Sequence, residues 1–467
     1  MCLAVNASSD RWQTLRDNTI NLPNQRLYAD WTASGRLYRP LEERLLDVAA
    51  PWMANTHSEA SLSGRSMTAA LEQAREQIRR GVGASNDDIV LFCGDGMTGA
   101  AAKLSRLLGL WVHERHRAAL ALPQDQQPVI YVTHMEHHSN QTLWLESLAE
   151  VRIIPPTTEG DVDLDWLADD LAALPTSRPR YASVTAASNV TGIAAPYRQI
   201  ARLMHQQGGF CWVDFACAAP YVAIDMHPAD DEPLDAVFFS PHKFLGGPGS
   251  SGVLVFNRAL YANRIPDVAG GGTVVWTNPW GEHRFISDIE RRESGGTPGI
   301  LQGLKAGLAM QLKAEMGVAA MAEREVYLND YFLAGLDDIP GVRLLANQHR
   351  QRLSVFSVVI EGVHYSQAVR RLSHDYGIEA RGGCSCAGTY GHHLLGIDRQ
   401  ASRAFSERLE QGDMDARPGW VRLSFHPMNS TADLDRVLAA LAELAGNPQQ
   451  NAGPAVAELD RLWAPWF

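Results

Sequence analysis

The sequence is poor in cysteine, with six thiols (Cys2, Cys93, Cys211, Cys217, Cys384 and Cys386) in 467 residues. That scarcity excludes a disulfide-built scaffold and turns attention to any thiol placed for reactivity or metal binding. Uninterrupted apolar runs of about 18 residues are also absent, so no membrane-spanning helix is expected. The opening stretch, Met1 to Asn6, has neither the basic segment nor the apolar core of a signal peptide, and a cytoplasmic protein is expected. Nor is there an excess of positive charge: 41 basic against 53 acidic residues give a formal charge of −12. The basic residues are scattered, which disfavours nucleic acid or an anionic membrane as a partner, and a small anionic substrate would need a local basic pocket. Repeats and low-complexity tracts are missing. The most linker-like stretch, residues 447–453, precedes an aromatic tail, Leu462-Trp463-Ala464-Pro465-Trp466-Phe467, which is expected to pack on the body or on a second subunit.

What is present is an alternation of short apolar runs and helix-like stretches between residues 89 and 256. The runs are Ile89–Phe92, Val129–Val132, Val151–Ile154, Tyr181–Val184, Phe210–Val213, Ala236–Phe239 and Gly252–Phe256. Such a rhythm implies βαβ units, hence an α/β fold with a seven-stranded, mostly parallel sheet covered on both faces. After about residue 300 the pattern becomes a long helical stretch (301–333), strand-like segments near 352–360, 378–382 and 420–425, and a helix from about Thr431. This predicts a smaller C-terminal α/β domain. The expected division is an N-terminal segment (1–25) packing on the small domain, a large domain (26–304) and a small domain (305–467).

Fold class does not fix function, so the sites must carry that argument. In Ser240-Pro241-His242-Lys243-Phe244-Leu245-Gly246-Gly247, a lysine directly follows an apolar strand and precedes a glycine-rich turn. A strand-end lysine is well placed for the lowered pKa that a Schiff-base amine needs, and the neighbouring hydroxyl, imidazole and backbone amides suit a phosphate. Alone, the same motif also reads as a surface turn with a solvated lysine. About thirty residues upstream, Val213-Asp214-Phe215-Ala216 puts a carboxylate at the end of another strand. That suits an acid holding a pyridine nitrogen protonated, with a small residue, Ala216, letting a ring lie flat. Successive strand ends at the carboxyl edge of an α/β sheet are where its ligands bind.

With these motifs the chain resembles the class V aminotransferase family of fold type I pyridoxal-phosphate enzymes, and within it the cysteine desulfurases and selenocysteine lyases. The resemblance spans about residues 26–440 and includes Tyr28-Ala29-Asp30, Asn55-Thr56-His57-Ser58, Gly96-Met97-Thr98, Met135-Glu136-His137-His138-Ser139-Asn140, Ser188-Asn189-Val190-Thr191-Gly192, Gly270-Gly271-Gly272-Thr273, Gly296-Thr297-Pro298 and Arg422-Leu423-Ser424. It implies that Lys243 carries pyridoxal 5'-phosphate and removes the substrate α-proton, Asp214 faces the pyridine nitrogen, His137 stacks over the ring and moves protons, and Asn189 lies near the ring hydroxyl. The phosphate would be held by Thr98 with the Gly96-Met97 backbone at a helix start, by Ser240 and His242, and by Thr297 reaching across from a second subunit of a homodimer. Arg422 resembles the family's substrate-carboxylate clamp, with Asn189, Arg381 and His57 as further substrate-binding candidates, although a lone strand arginine also reads as a surface ion pair. The chain departs from the family pattern at Met97, at Cys217, and by one extra residue before Gly296.

The segment Arg381-Gly382-Gly383-Cys384-Ser385-Cys386-Ala387-Gly388 is a glycine-flanked loop with two thiols, followed by His392-His393. Such a loop is suited to swing a thiolate toward a cofactor. It resembles the loop by which one group of cysteine desulfurases delivers the acceptor thiol, making Cys386 the sulfur acceptor. The Cys-x-Cys also resembles the aminotransferase-like domain of molybdenum-cofactor sulfurases, in which case persulfide passes between thiols or on to a partner. No metal is expected, but zinc on Cys384, Cys386, His392 and His393, and two inert loop cysteines, remain as alternatives. His134, His137 and His138 are expected to be ring-stacking and hydrogen-bonded residues and not a metal cluster. The expected reaction is conversion of L-cysteine to L-alanine with persulfide on Cys386, passed to a sulfur-acceptor protein. The alternatives are a carbon–sulfur β-lyase, a selenocysteine lyase, a class V transaminase or epimerase, and a non-catalytic sulfur-relay scaffold.

Overall fold

The computed structural model describes residues 11–56, 60–120, 122–228 and 231–449. They fall into two compact units. The larger comprises residues 11–20, 34–56, 60–120, 122–188, 194–228 and 231–322, and the smaller residues 21–33, 189–193 and 323–449. The expected placement of the aromatic tail lies outside the described residues.

The larger unit is organised by a seven-stranded sheet. Its strands are β1 (Asp88–Phe92), β2 (Val129–Thr133), β3 (Glu150–Ile154), β4 (Arg180–Thr185), β5 (Phe210–Asp214), β6 (Ala236–Phe239) and β7 (Val253–Asn257). The order is β1-β7-β6-β5-β4-β2-β3, parallel from β6 to β3, with β7 antiparallel to both of its neighbours. All residues of β2 and β6 are buried, as continuous apolar strands covered on both faces should be. The α/β class and the seven-stranded, mostly parallel sheet are therefore as the sequence pattern predicts. Trp144, Trp212, Phe238 and Phe256 fill one side of the core.

Two helices of this unit, Leu62–Gly81 and Ile300–Met316, pack closely because glycine faces them: a Cβ on Gly307 would stand 2.7 Å from the Ala74 Cα. The single helical stretch expected over 301–333 is two helices. Gly317, with φ 79°, ends the first, and Val318–Asp337 begins at once.

The smaller unit has an antiparallel sheet of β8 (Val342–Leu344), β9 (Val355–Ile360), β10 (Arg381–Gly383) and β11 (Trp420–Ser424), in the order β8-β9-β11-β10. Its core holds Phe332, Phe356 and Phe425, with ring centroids 4.7–6.0 Å apart. Helix Thr431–Gly446 starts with a reciprocal cap between Ser430 and Asp433. Residues 21–33 are built into this unit: Leu27–Tyr28 pairs in parallel with Ile378–Glu379, and Asp30 bridges to Ser424. Among the described residues no helix is long and apolar enough to cross a membrane.

Candidate active site

In the larger unit the cofactor candidates gather at the carboxyl ends of β5 and β6 and at the start of helix Gly96–Leu107, which follows β1. Beyond β6 the chain makes a one-turn 3₁₀ helix, Pro241–Lys243, set by the proline at its first position. The His242 carbonyl accepts from the Gly35 N–H at 2.9 Å, which pins this turn and presents a half-buried Lys243.

The helix start is fastened to the same turn. The Met97 N–H donates to the Ser240 hydroxyl at 2.8 Å. Gly96 has φ 62°, and a Cβ there would meet Ser240 Oγ at 2.8 Å and His242 Cε1 at 3.0 Å, so only glycine permits this approach. Thr98 and Ser139 share a hydroxyl hydrogen bond of 2.7 Å. Burial, with Lys243 adding to it, pushes the His242 imidazole down to about 4. Hydroxyls and a helix N-terminus thus converge where phosphate oxygens could be received.

Asp214 ends β5 and is 4% exposed. Its Oδ1 accepts from the Ala216 N–H at 2.8 Å, and among the described residues its side chain takes no other hydrogen bond. Burial raises the carboxyl to about 6, against the opposing pull of the Ala216 amide and the Lys243 cation. A buried carboxylate with an oxygen left for a donor, near a lysine and a small residue, fits a protonated ring nitrogen. The donor set therefore suits pyridoxal phosphate. Half-buried His137 receives the Ser139 N–H on Nδ1 at 3.1 Å, so in the neutral ring Nε2 carries the proton. Thr297 is exposed and accepts from Asn55 Nδ2 at 3.0 Å. His57 lies outside the described residues.

Glu136, whose sequence context alone suggests no role, is a buried anchor of this site. It accepts from Thr133 Oγ1 at 2.6 Å, Asn140 Nδ2 at 2.7 Å, and the backbone amides of Thr185 at 2.9 Å and Thr133 at 3.2 Å. It ties the end of β2 to β4 immediately before His137. Burial outweighs these donors and, with the charge of Asp214, pushes its carboxyl up to about 7. A carboxylate three residues beyond a wholly buried strand was the available signal.

The smaller unit collects the other candidates. Arg422 on β11 is 3% exposed; it donates to Asp30 Oδ1 at 2.8 Å and to the Asn189 carbonyl at 3.1 Å, and among the described residues its buried Nε has no partner. Arg381 on β10 reaches the other oxygen of Asp30 at 3.1 Å. Asp30 thus joins both arginine candidates, a role its place in Tyr28-Ala29-Asp30 did not reveal. Asn189 gives its Nδ2–H to the Ser385 carbonyl at 2.7 Å and so holds the cysteine loop. Cys386 is exposed and Cys384 half-buried. Both His392 ring nitrogens are engaged, Nδ1 with the Gly388 carbonyl at 2.7 Å and Nε2 with Ser402 Oγ at 2.9 Å. Among the described residues no group of three or more His, Cys, Asp or Glu side chains is gathered as a metal site.

The aminotransferase class-V family model matches residues 27–437. The chain belongs to the class V aminotransferase family. Relatives within reach of sequence comparison include a probable cysteine desulfurase of Halobacterium salinarum, 26% identical over 421 residues that cover 89% of this chain and 91% of that one. A cysteine desulfurase of Dickeya dadantii is 29% identical over 366 residues, 77% of this chain and 82% of the relative. Two solved structures show the class V fold. The apo cysteine desulfurase of Thermococcus onnurineus has a TM-score of 0.73 at 21% identity, covering 93% of this chain and 98% of that one. The Escherichia coli cysteine desulfurase CsdA, in an S-sulfonic acid form, has a TM-score of 0.72 at 22% identity, covering 92% and 98%.

Proposed function

We propose that this class V chain is a pyridoxal-phosphate-dependent cysteine desulfurase that converts L-cysteine to L-alanine and leaves the sulfur as a persulfide on Cys386. The observation that carries this function is the exposed Cys386 thiol on a loop clasped by Asn189, in the same unit as a buried arginine whose Nε is unpartnered among the described residues. The names of the relatives point the same way.

Pyridoxal phosphate, when bound, supplies an aldehyde for the substrate amine and a protonated pyridine ring able to hold negative charge. Ser240, His242, Thr98 and the Gly96-Met97 backbone would hold its phosphate, Lys243 its aldehyde carbon and Asp214 its ring nitrogen. Arg422 binds the substrate carboxylate through its guanidinium. Lys243 takes the substrate α-proton at Nζ. His137 serves as the ring-stacking group and moves protons at Nε2. The Cys386 thiolate attacks the substrate γ-sulfur; the Cβ–Sγ bond breaks, its electron pair stays with Cβ, and a proton there completes alanine.

The reading includes a cytoplasmic homodimer in which Thr297 serves the phosphate site of the second subunit, and a protein that accepts the sulfur. The exposed Leu46, Val48, Trp52 and Met53 supply apolar surface for such an interface. The test is an absorbance spectrum followed by L-cysteine addition, with alanine, pyruvate and sulfide assayed together. Alanine with a loop persulfide supports the proposal, and Cys386→Ala keeps the yellow colour but loses the persulfide. Pyruvate with ammonia refutes it in favour of a β-lyase.

A further inference from the structure

The loop carries two thiols, and only one is needed to accept sulfur. The Ala387 N–H donates to the Cys384 carbonyl at 3.0 Å, closing a four-residue turn over residues 384–387. Both central residues are left-handed, Ser385 at φ 52° and Cys386 at φ 57°. That sign pattern belongs to the type I′ turn, whose positions favour Asn and Gly; serine and cysteine adopt it at a conformational cost. The turn is held by the Asn189 amide on the Ser385 carbonyl at 2.7 Å and by burial of Ser385 and Ala387. Among the described residues the buried Ser385 hydroxyl has no partner, so its own bonding is not what fixes the turn.

The effect of the turn is on the thiols. Two residues of fully extended chain span at most ~7 Å, at the outer limit of the Cα separations of about 4.4–6.8 Å that a disulfide accepts. Reversing the chain at residues 385 and 386 shortens that reach. One thiol is exposed and the other half-buried, an arrangement in which sulfur is delivered to the first and the second is kept from the same chemistry.

We propose that Cys384 is a resolving thiol that discharges the Cys386 persulfide as hydrosulfide. The step rests on the desulfurase reading for its persulfide. The Cys384 thiolate attacks Sγ of Cys386; the bond from Sγ to the outer sulfur breaks, and that sulfur leaves with the electron pair as hydrosulfide. A Cys384–Cys386 disulfide remains, so the two cysteine sulfurs are oxidised by the sulfane sulfur that is reduced. A disulfide across one intervening residue is readily reduced, and a small dithiol or a dithiol protein restores the pair.

The test uses purified holoenzyme loaded with inorganic polysulfide, which places sulfane sulfur on Cys386 without turnover. Loop peptides are then weighed and released hydrosulfide is assayed for the wild type, Cys384→Ser and Cys384→Ala. The wild-type peptide is expected to lose two hydrogens while hydrosulfide appears, and both variants to retain one added sulfur on Cys386. A wild-type peptide that retains the added sulfur as the variants do, or carries it on Cys384, overturns the proposal. L-cysteine in place of polysulfide separates the two readings. A disulfide with polysulfide but no sulfur chemistry with L-cysteine upholds the resolving thiol and refutes the desulfurase.

Discussion

Asp214→Asn should make the cofactor-free protein more stable at alkaline pH while weakening its hold on pyridoxal phosphate. The Asp214 carboxyl is raised from 3.8 to about 6, chiefly by burial. At ~1.4 kcal/mol per unit, a shift of about two units corresponds to ~3 kcal/mol. Because the folded value lies above the unfolded one, the associated stability is fully present below pH 3.8 and is lost as pH rises through about 6. Above that pH the empty site holds an ionised carboxylate with one amide donor, whereas asparagine keeps the Oδ1 acceptor without the charge. The variant should therefore exceed the wild type by roughly 3 kcal/mol at the alkaline end, and the gap should close on acidification. Thermal or urea unfolding of both cofactor-free proteins across pH 4 to 8.5, with cofactor retention measured in parallel, reads this out. A variant no more stable than wild type at high pH, or a gap independent of pH, would refute burial as the source of the shift.

Arg422→Ala should lower kcat/KM for the amino-acid substrate by about 10- to 100-fold, the loss of a charged hydrogen bond worth ~1.5–3 kcal/mol; unchanged kinetics would remove it as the carboxylate clamp. Asn189→Ala cuts the clasp on Ser385 and should speed alkylation of Cys386 in the resting protein, measured by the rate of iodoacetamide labelling. Ser430→Ala breaks the reciprocal cap of helix Thr431–Gly446 and should cost about 1 kcal/mol in denaturant unfolding of the smaller unit.

The large sheet was legible because its strands carry short apolar runs between helix-like stretches, and the central ones, such as Val129–Thr133 and Ala236–Phe239, are buried throughout. The edge strand Val342–Leu344 was not, since three residues with Arg343 at the centre carry no period. The break at Gly317 could be read only by treating one glycine inside a helical pattern as a stop. At the site, Lys243 and Asp214 were visible as strand-end residues. Asp30 and Glu136 were harder, because their roles come from partners distant in sequence: Asp30 meets Arg381 and Arg422, and Glu136 meets Thr185. Ser385 and Cys386 gave no hint of left-handed backbone, because neither residue type advertises it.

The threading of residues 21–33 into the smaller unit sets a timetable for synthesis. Arg26 and Glu379, joined by a salt bridge, are 353 residues apart, and Leu27–Tyr28 waits as long for its partner strand. The strands of the larger sheet all lie between Asp88 and Asn257 and can pair while the ribosome is still adding the rest. The smaller unit cannot close until nearly the whole of residues 21–449 has emerged, since its first and last pieces lie at the two ends of that span. The loop bearing Cys384 and Cys386 is thus completed last, after the lysine-bearing unit has had time to form.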